Sequence, residues 1–422
     1  MTTMKSNLQF FRWLTSRLPA PGEPRLVVLT GARQTGKTTL ARSVWSGLRY
    51  VNLDAIEDRE ALRAVPTAAW DSVVGDAVLD EAQKEPTVFE KVKWAFDAGR
   101  VRFSALLGSS RLLLLHRIRE TLAGRAFLYD LWPLMASELR HATTEAPPRP
   151  LLHGLLTGET SFAEQLGGQP PRLLAEEEAT RTEAIAHLAR WGGMPALLPL
   201  DDDQRRDWLR SYQQTFLERD LADLVRMVDL QPFRTLQRVA MLRAGGLLSY
   251  SELARDAGVA ATTARRYLEY LRLTYQVVLL PPFSRNLTSS VVKSPKLYWP
   301  DLGLLRHATQ QWGELDGPLF ETLAIAEIHK LVMTLGLDAR LSFYRTRSGR
   351  EADLLVETPL GVIGMEVKKR PEASPADVSA LRALRAQLGP AWRGGLVITD
   401  GGELLPLVVQ DGIWAVPLHR LV

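Results

Sequence analysis

The sequence predicts an α/β protein of several domains, the first of them a parallel sheet with helices packed on it. Three observations lead there. The chain has 422 residues, enough for about two to four domains that each bury a core. Between residues 20 and 135 short apolar runs alternate with helical stretches, the pattern of strands joined by helical crossovers. A Gly-rich loop separates the first apolar run from the first helix. A hydrophobic fraction of 46% with 8% aromatics excludes a disordered chain. Cysteine is absent, which excludes a disulfide scaffold, a thiolate metal site and a cysteine nucleophile. The net charge of +4 is small for this length and is by itself a weak argument for an anionic partner. No apolar run reaches the ~18 residues of a membrane span. Residues 1–14 hold too short an apolar stretch for a secretory signal, so a cytoplasmic protein without membrane contact is expected.

In chain order, residues 26–30 read Leu-Val-Val-Leu-Thr, a strand buried on both faces. Gly31-Ala32-Arg33-Gln34-Thr35-Gly36-Lys37-Thr38-Thr39 then matches G-x-x-x-x-G-K-[ST] in the strand–loop–helix context the motif requires. Its glycines let backbone N–H groups face phosphate oxygens, and the helix N-terminus adds a favourable dipole. Lys37 supplies a charge for the β- and γ-phosphates and Thr38 a hydroxyl for Mg²⁺, so ATP and Mg²⁺ are the expected cofactors. Further strands are expected at 50–53 and 77–79, and a helix at 87–97 with Val88, Val92, Ala95 and Phe96 on one face. The strand at 77–79 delivers Asp80 and Glu81 to its C-terminal end, where ligands of open α/β sheets bind. Asp80 would hold Mg²⁺ and Glu81 would orient the attacking water, which predicts an ATPase.

Residues 106–139, from Leu106-Leu-Gly-Ser109-Ser110 to Glu138-Leu139, resemble a family of prokaryotic AAA-type ATPases. The resemblance implies that Ser109 or Ser110 senses the γ-phosphate. It also implies that Arg125, in Leu122-Ala-Gly-Arg125, is an arginine finger for a neighbouring subunit, hence a homo-oligomer, a ring or at least a dimer. Pro133-Leu-Met-Ala-Ser-Glu138-Leu matches the family's next element. The likeness continues through Gly192-Gly-Met-Pro195, Leu217-Glu-Arg219-Asp220-Leu and Pro295-Lys-Leu-Tyr298-x-x-Asp301-x-Gly303, and so covers nearly the whole chain. Arg219 and Asp220 read equally as an ion pair on a helix.

Residues 141–172 are rich in proline and glycine and read as a linker or surface excursion. Residues 175–240 are helical, broken at Gly192–Gly193 and Pro195. Residues 247–280 carry the spacing of a helix-turn-helix: Ser251 as N-cap, Leu253 and Ala254 inward, Gly258 at the turn, and a second helix over 262–271. Thr262, Thr263, Arg265 and Arg266 would be exposed at the start of that helix and face DNA. The apolar strand 275–280 suggests a winged variant.

The last third reads as a helix at 319–335, strands at 341–346, 352–357 and 361–368, a helix at 375–388 and a strand at 395–399. Glu321, Asp353, Glu366 and Lys368 fall on the helix and two of these strands, and Glu366 and Lys368 share one strand face. That order resembles the PD-(D/E)XK nuclease superfamily, which implies carboxylates holding Mg²⁺ and a lysine beside the attacking water. Glu351 and Glu327 are alternative third carboxylates. Arg345, Arg347, Arg350, Lys369 and Arg370 form a basic rim suited to a phosphate backbone.

The resulting expectation is an AAA-type P-loop ATPase domain (1–140), a linker (141–174), a helical lid (175–230), a winged helix (231–290) and a nuclease-like α/β domain (291–422). The expected function is an ATP-driven ring that translocates on or remodels duplex or branched DNA. The alternatives are a nucleotide-driven assembly switch in a signalling or defence complex, and an ATP-gated nuclease.

Overall fold

The computed structural model describes residues 10–109, 121–140, 145–224, 230–283, 294–346 and 349–422, with 216–224 described by their backbone alone. Ser110 and Arg347 fall outside these residues, and Arg219 and Asp220 outside the described side chains.

Five parallel strands form the first sheet: β1 (Arg25–Thr30), β2 (Arg49–Asn52), β3 (Ala77–Asp80), β4 (Phe103–Gly108) and β5 (Ala126–Asp130), in the order β2-β3-β4-β1-β5. The expected strands at 26–30, 50–53 and 77–79 are β1, β2 and β3. Period-2 alternation sends the apolar residues of β1 to two cores. Leu26 and Val28 pack with Trp70, Val88, Phe89 and Val92, whereas Val27 and Leu29 pack with Leu40, Trp45 and Phe103. Helix α1 (Lys37–Val44) supplies the second layer and α2 (Ile56–Ala64) with α3 (Thr87–Asp97) the first. Each fully buried Leu or Val contributes about 1.5–3 kcal/mol.

The stretch expected as a linker is structured. It carries α4 (Leu151–Thr157) and α5 (Phe162–Gly167), whose Leu152, Leu155, Leu156, Phe162 and Leu166 are buried. Ser161 and Glu164 close a capping box on α5. Phe162 packs against the backbone of Gly394, and Pro171 O accepts bonds from Leu404 N and Arg420. Proline and glycine mark the turns here, and the buried leucines between them find partners more than 200 residues away.

Helices α6 (Ala175–Trp191) and α7 (Asp202–Leu224) flank the break at Gly192–Pro195. Next come α8 (Gln231–Leu242), α9 (Tyr250–Asp256) and α10 (Ala261–Leu273). A turn at Gly258 joins α9 to α10, and Leu253, Ala254, Ala264 and Leu268 are buried between them. The N-cap of α9 is Ser249, not Ser251: Ser249 Oγ accepts from Glu252 N, and Ser251 already lies inside the first turn. Thr262, Arg265 and Arg266 are exposed, and Thr263 is half-buried. The strand expected at 275–280 is shorter, β6 (Val278–Leu280), because Tyr275 turns the chain with φ +62. β6 pairs antiparallel with β7 (Lys296–Tyr298), and Leu247 bridges to Lys296 on the other side.

After α11 (Leu302–Thr309) and α12 (Gly317–Leu335) comes a six-stranded mixed sheet. Its strands are β8 (Arg340–Arg345), β9 (Glu351–Thr358), β10 (Gly361–Lys368), β11 (Trp392–Thr399), β12 (Leu405–Val408) and β13 (Ile413–Pro417). The order is β12-β13-β11-β10-β9-β8, antiparallel from β8 to β10 and parallel from β10 through β11 to β13. α13 (Ser379–Leu388) makes the crossover from β10 to β11. Alternate residues of the sheet face α12 (Leu354, Val356, Ile363, Met365) and α13 (Leu355, Val362, Val397). Backbone bonds between Pro281–Phe283 and Phe343 attach the β6–β7 ribbon to β8. Among the described residues no helix is long and apolar enough to cross a membrane.

Candidate functional sites

The loop 31–36 lies between the C-terminal end of β1 and α1. Gly31 has φ +153, and a Cβ there would stand 2.2 Å from Leu131 O, so no other residue fits. Lys37 is buried, its ammonium donating to Gly31 O at 2.9 Å and Ala32 O at 2.8 Å. The lysine therefore rests on its own loop's carbonyls, and a phosphate would offer it stronger acceptors. Thr38 Oγ1 donates to Asp80 Oδ2 at 2.5 Å, which puts a hydroxyl and a carboxylate from the two motifs side by side. Tyr50 OH donates to the same oxygen at 2.7 Å. Burial, then Asp80, holds the phenol well above its ordinary range.

Glu81 adopts a left-handed backbone (φ +54), which swings its side chain out of the line of β3. Burial raises its carboxyl pKa, and Lys37 pulls it back. Gln83 Nε2 donates to Glu81 Oε2 at 2.5 Å and fixes the rotamer. Ser109 is buried just past β4, between the strand of Asp80 and that of the loop. Arg125 lies at the other end of the sheet, immediately before β5, with Nε 2.6 Å from Asp97 Oδ1. Because β5 runs parallel to β1, this end of the sheet lies opposite the phosphate loop of the same chain. Arg33 and Gln34 line the same loop; Tyr212 of α7 reaches Arg33 O at 3.5 Å.

Sequence reasoning missed two groups here. The first is Arg12, a buried guanidinium that donates to Thr35 O (2.9 Å) and Trp132 O (2.6 Å) and pairs with Glu138 (3.2 Å). Glu138 also accepts from Trp13 N at 2.9 Å, so this acid of the Pro133–Leu139 motif anchors the N-terminal segment against the loop. The second is Tyr275, whose hydroxyl contacts Thr30 Oγ1 and Asp130 Oδ1 at the ends of β1 and β5. No local pattern announces either residue.

The motifs that follow meet at one buried junction. Leu134 N donates to Gly193 O (2.8 Å), Gly193 N to Asp301 Oδ2 (2.8 Å), and Asp301 Oδ1 caps α11 at Leu304 N (3.1 Å). Glu327 accepts from Ala136 N at 2.8 Å and pairs with Lys330, which donates to Leu134 O. Glu327, named above as an alternative carboxylate, is thus engaged in this joint. Nearby, His329 stacks edge-on against Trp132, and burial lowers its pKa to about 4. A histidine depressed in the fold stabilises it above the ordinary pKa of 6.5 and loses that contribution as pH falls towards 4. His329→Gln should flatten the acid limb of a plot of stability against pH, by up to about 3 kcal/mol. Thermal melts between pH 7 and 4 check this.

In the C-terminal sheet Asp353, Glu366 and Glu321 do come together, as expected, but around a cation that sequence reasoning missed. The buried ammonium of Lys296 lies 2.9 Å from Glu321 Oε1 and 3.5 Å from Asp353 Oδ1, and it also pairs with Glu351. Burial opposes its charge, but Glu321, Asp353 and Glu351 outweigh it and raise its pKa. Tyr298 OH donates to Glu321 at 2.6 Å and Val367 N to Asp353 Oδ2 at 2.9 Å. Lys368 pairs with Glu366 at 2.6 Å; burial and then Asp353 push the Glu366 carboxyl up to about 8. Among the described residues no three His, Asp or Glu side chains are grouped as a metal site in this arrangement, in which Lys296 stands among Glu321, Glu351 and Asp353. The expected basic rim is largely spent within the chain. Arg345 pairs with Glu351 at 3.1 Å, Lys369 with Asp400, and Arg370 with Asp377.

Three family models match the chain: an AAA domain over residues 23–140, a domain of unknown function (DUF8612) over 182–314 and another (DUF4143) over 316–421. The uncharacterized proteins Rv2008c of Mycobacterium tuberculosis and Mb2031c of Mycobacterium bovis are each 31% identical over 413 residues, covering 94% of this chain and 81% of theirs. Among solved structures, the Walker-type ATPase PABY2304 of Pyrococcus abyssi aligns at 15% identity and TM-score 0.41, over 68% of this chain and 91% of its own. The signal-transduction ATPase PH0952 of Pyrococcus horikoshii aligns at 11% identity and TM-score 0.24, over 73% of this chain and 43% of its own. By its relation to the mycobacterial proteins and by its AAA domain, the chain belongs to their family, an AAA-type ATPase family in which a DUF4143 domain follows the ATPase.

Proposed function

We propose that the protein is an ATP-hydrolysing machine that acts on DNA, working as a ring that translocates on or remodels duplex or branched DNA. The observation that carries this reading is the contact of Tyr275 with Thr30 and Asp130. Tyr275 follows α10, the second helix of a helix-turn-helix, and the β6–β7 ribbon after it reads as the wing of a winged helix. Thr30 immediately precedes the phosphate loop. A displacement of the DNA-facing helix would thus be felt at the nucleotide, and the reverse.

The chain's own residues divide the work. Lys37 leaves the Gly31 and Ala32 carbonyls to meet the β- and γ-phosphates. Thr38 and Asp80, already in contact, fit the two protein ligands of a magnesium ion, which when bound draws off the charge developing on the phosphates. Glu81 orients the attacking water, Ser109 reads the γ-phosphate, and Gly31 to Thr39 cradle the nucleotide. Arg125 serves the neighbouring subunit once its pair with Asp97 opens. Exposed Phe127 and Leu128 on the edge strand β5, beside Arg125, support a subunit contact there.

Thr262, Arg265 and Arg266 would face the DNA backbone, with Lys369 secondary because Asp400 already holds it. Replacing both Arg265 and Arg266 by Ala should reduce the slope of log affinity against log salt by about 2, one unit per phosphate contact. Titrations of the full chain with duplex between about 50 and 200 mM salt measure it. An unchanged slope would remove the helix-turn-helix from the DNA interface. The ion-paired rim at Arg345, Lys369 and Arg370 favours a second reading, a nucleotide-driven assembly switch. Turnover measured with and without DNA, beside sedimentation with ATP, separates the two: a switch would assemble on ATP with turnover indifferent to DNA, whereas the turnover of the machine rises with DNA.

A further inference from the structure

The C-terminal sheet gathers four carboxylates, Glu321, Glu351, Asp353 and Glu366, in one mostly buried cluster. Such a cluster is unstable without compensating charge, because each buried carboxylate loses its hydration. Two lysines and an arginine supply it: Lys296, Lys368 and Arg345. Lys296 differs from the others in origin and burial. It comes from β7, outside the sheet, and its side chain is only 4% exposed. Its ammonium has three N–H donors and faces three carboxylates. Glu366 Oε2, buried and without a hydrogen-bond partner, is the acceptor left over.

We propose that the Lys296 ammonium stands where a divalent ion would otherwise bind, so that this cluster is a cation-filled joint and not a metal-dependent nuclease site. The joint fastens β7 to the C-terminal sheet. Gly245, Gly246 and Leu248 of the segment between α8 and α9 share backbone bonds with residues 295–297, so the helix-turn-helix is tied to the same strand. Withdrawing Lys296 would both free the carboxylates and detach the ribbon, which makes metal uptake and a docked helix-turn-helix mutually exclusive. The inference is independent of the DNA reading, since it concerns only what fills the cluster.

The test uses Mn²⁺ with the full chain, free of nucleotide so that the phosphate loop contributes no metal site. The unaltered chain, Asp353→Asn, Lys296→Met and Lys296→Met with Asp353→Asn are titrated with Mn²⁺ by calorimetry and melted with and without it. Lys296→Met should bind one Mn²⁺ at least about tenfold more tightly than the unaltered chain, and Asp353→Asn should abolish the gain. Lys296→Met with Glu351→Gln restores the charge balance where the single variant does not fold, and the same gain is expected. A folded Lys296→Met chain without added Mn²⁺ affinity would overturn the proposal. So would Mn²⁺ stabilising the unaltered chain through Asp353, a result that needs no folded Lys296 variant.

Discussion

Glu81→Gln should keep ATP bound while slowing hydrolysis by about 10²–10⁴-fold, and Lys37→Ala should fail to hold the nucleotide at all. The two changes separate because the residues meet different atoms. Lys37 is a buried charge resting on two carbonyls that a phosphate would replace. Removing it takes away a buried positive charge of the loop and leaves those carbonyls facing an anion. Glu81 is held by Gln83 beside Asp80, and in the proposed division of work it acts on the water. The glutamine is isosteric, so binding survives and the acceptor for the water's proton is lost. Equilibrium binding of a fluorescent ATP analogue and single-turnover hydrolysis read the two effects. Turnover at the parental rate in Glu81→Gln would move the water-orienting role elsewhere.

Gly303→Ala should destabilise the whole chain by at least about 3 kcal/mol, the largest structural effect of any single methyl group we expect. A Cβ at Gly303 would lie 1.9 Å from Trp191 O and 2.3 Å from Trp191 C, backbone atoms that cannot step aside. The site is the crossing of α11 with the end of α6, where Asp301 binds Gly193 N and Leu134 binds Gly193 O. ATPase domain, helical segment and C-terminal fold therefore all lose a shared joint. Gly317→Ala is the control, since a Cβ there meets no atom within 4 Å. Chemical denaturation of the two variants should separate them widely; equal stabilities would deny the junction its structural role.

The phosphate loop and the Asp80–Glu81 strand end were legible because their chemistry is local. The loop's residues and the strand that carries it are contiguous, and the alternating burial of β1 follows from its apolar run. The helix at 87–97 was legible for the same reason, through one apolar face. What the sequence concealed depends on partners far along the chain. Leu152 and Phe162 sit among prolines and glycines that mark turns, while the surfaces that bury them arrive more than 200 residues later. Lys296 reads as an ordinary basic residue until Glu321, Glu351 and Asp353 are folded around it. The pairing of Arg345 within the chain was not legible either, because it depends on Glu351 lying opposite in the β8–β9 register. Tyr275 was hidden by its place in an apolar run, where a strand was the simpler expectation. In the fold it has a positive φ, and its hydroxyl meets Thr30 and Asp130 of the ATPase sheet.

The central claim is that DNA binding and ATP hydrolysis communicate through Tyr275. The measurement that tests it most directly is the steady-state ATPase rate of the unaltered chain and of Tyr275→Phe, each without DNA and with duplex, single strand or a four-way junction. Tyr275→Phe removes one oxygen, and with it the bonds to Thr30 and Asp130, while leaving the packing of the ring on Trp132. The account predicts that at least one DNA raises the rate of the unaltered chain several-fold, and that the ratio of stimulated to unstimulated rate falls towards one in Tyr275→Phe. A rate indifferent to every DNA, or a full stimulation retained without the hydroxyl, would contradict it.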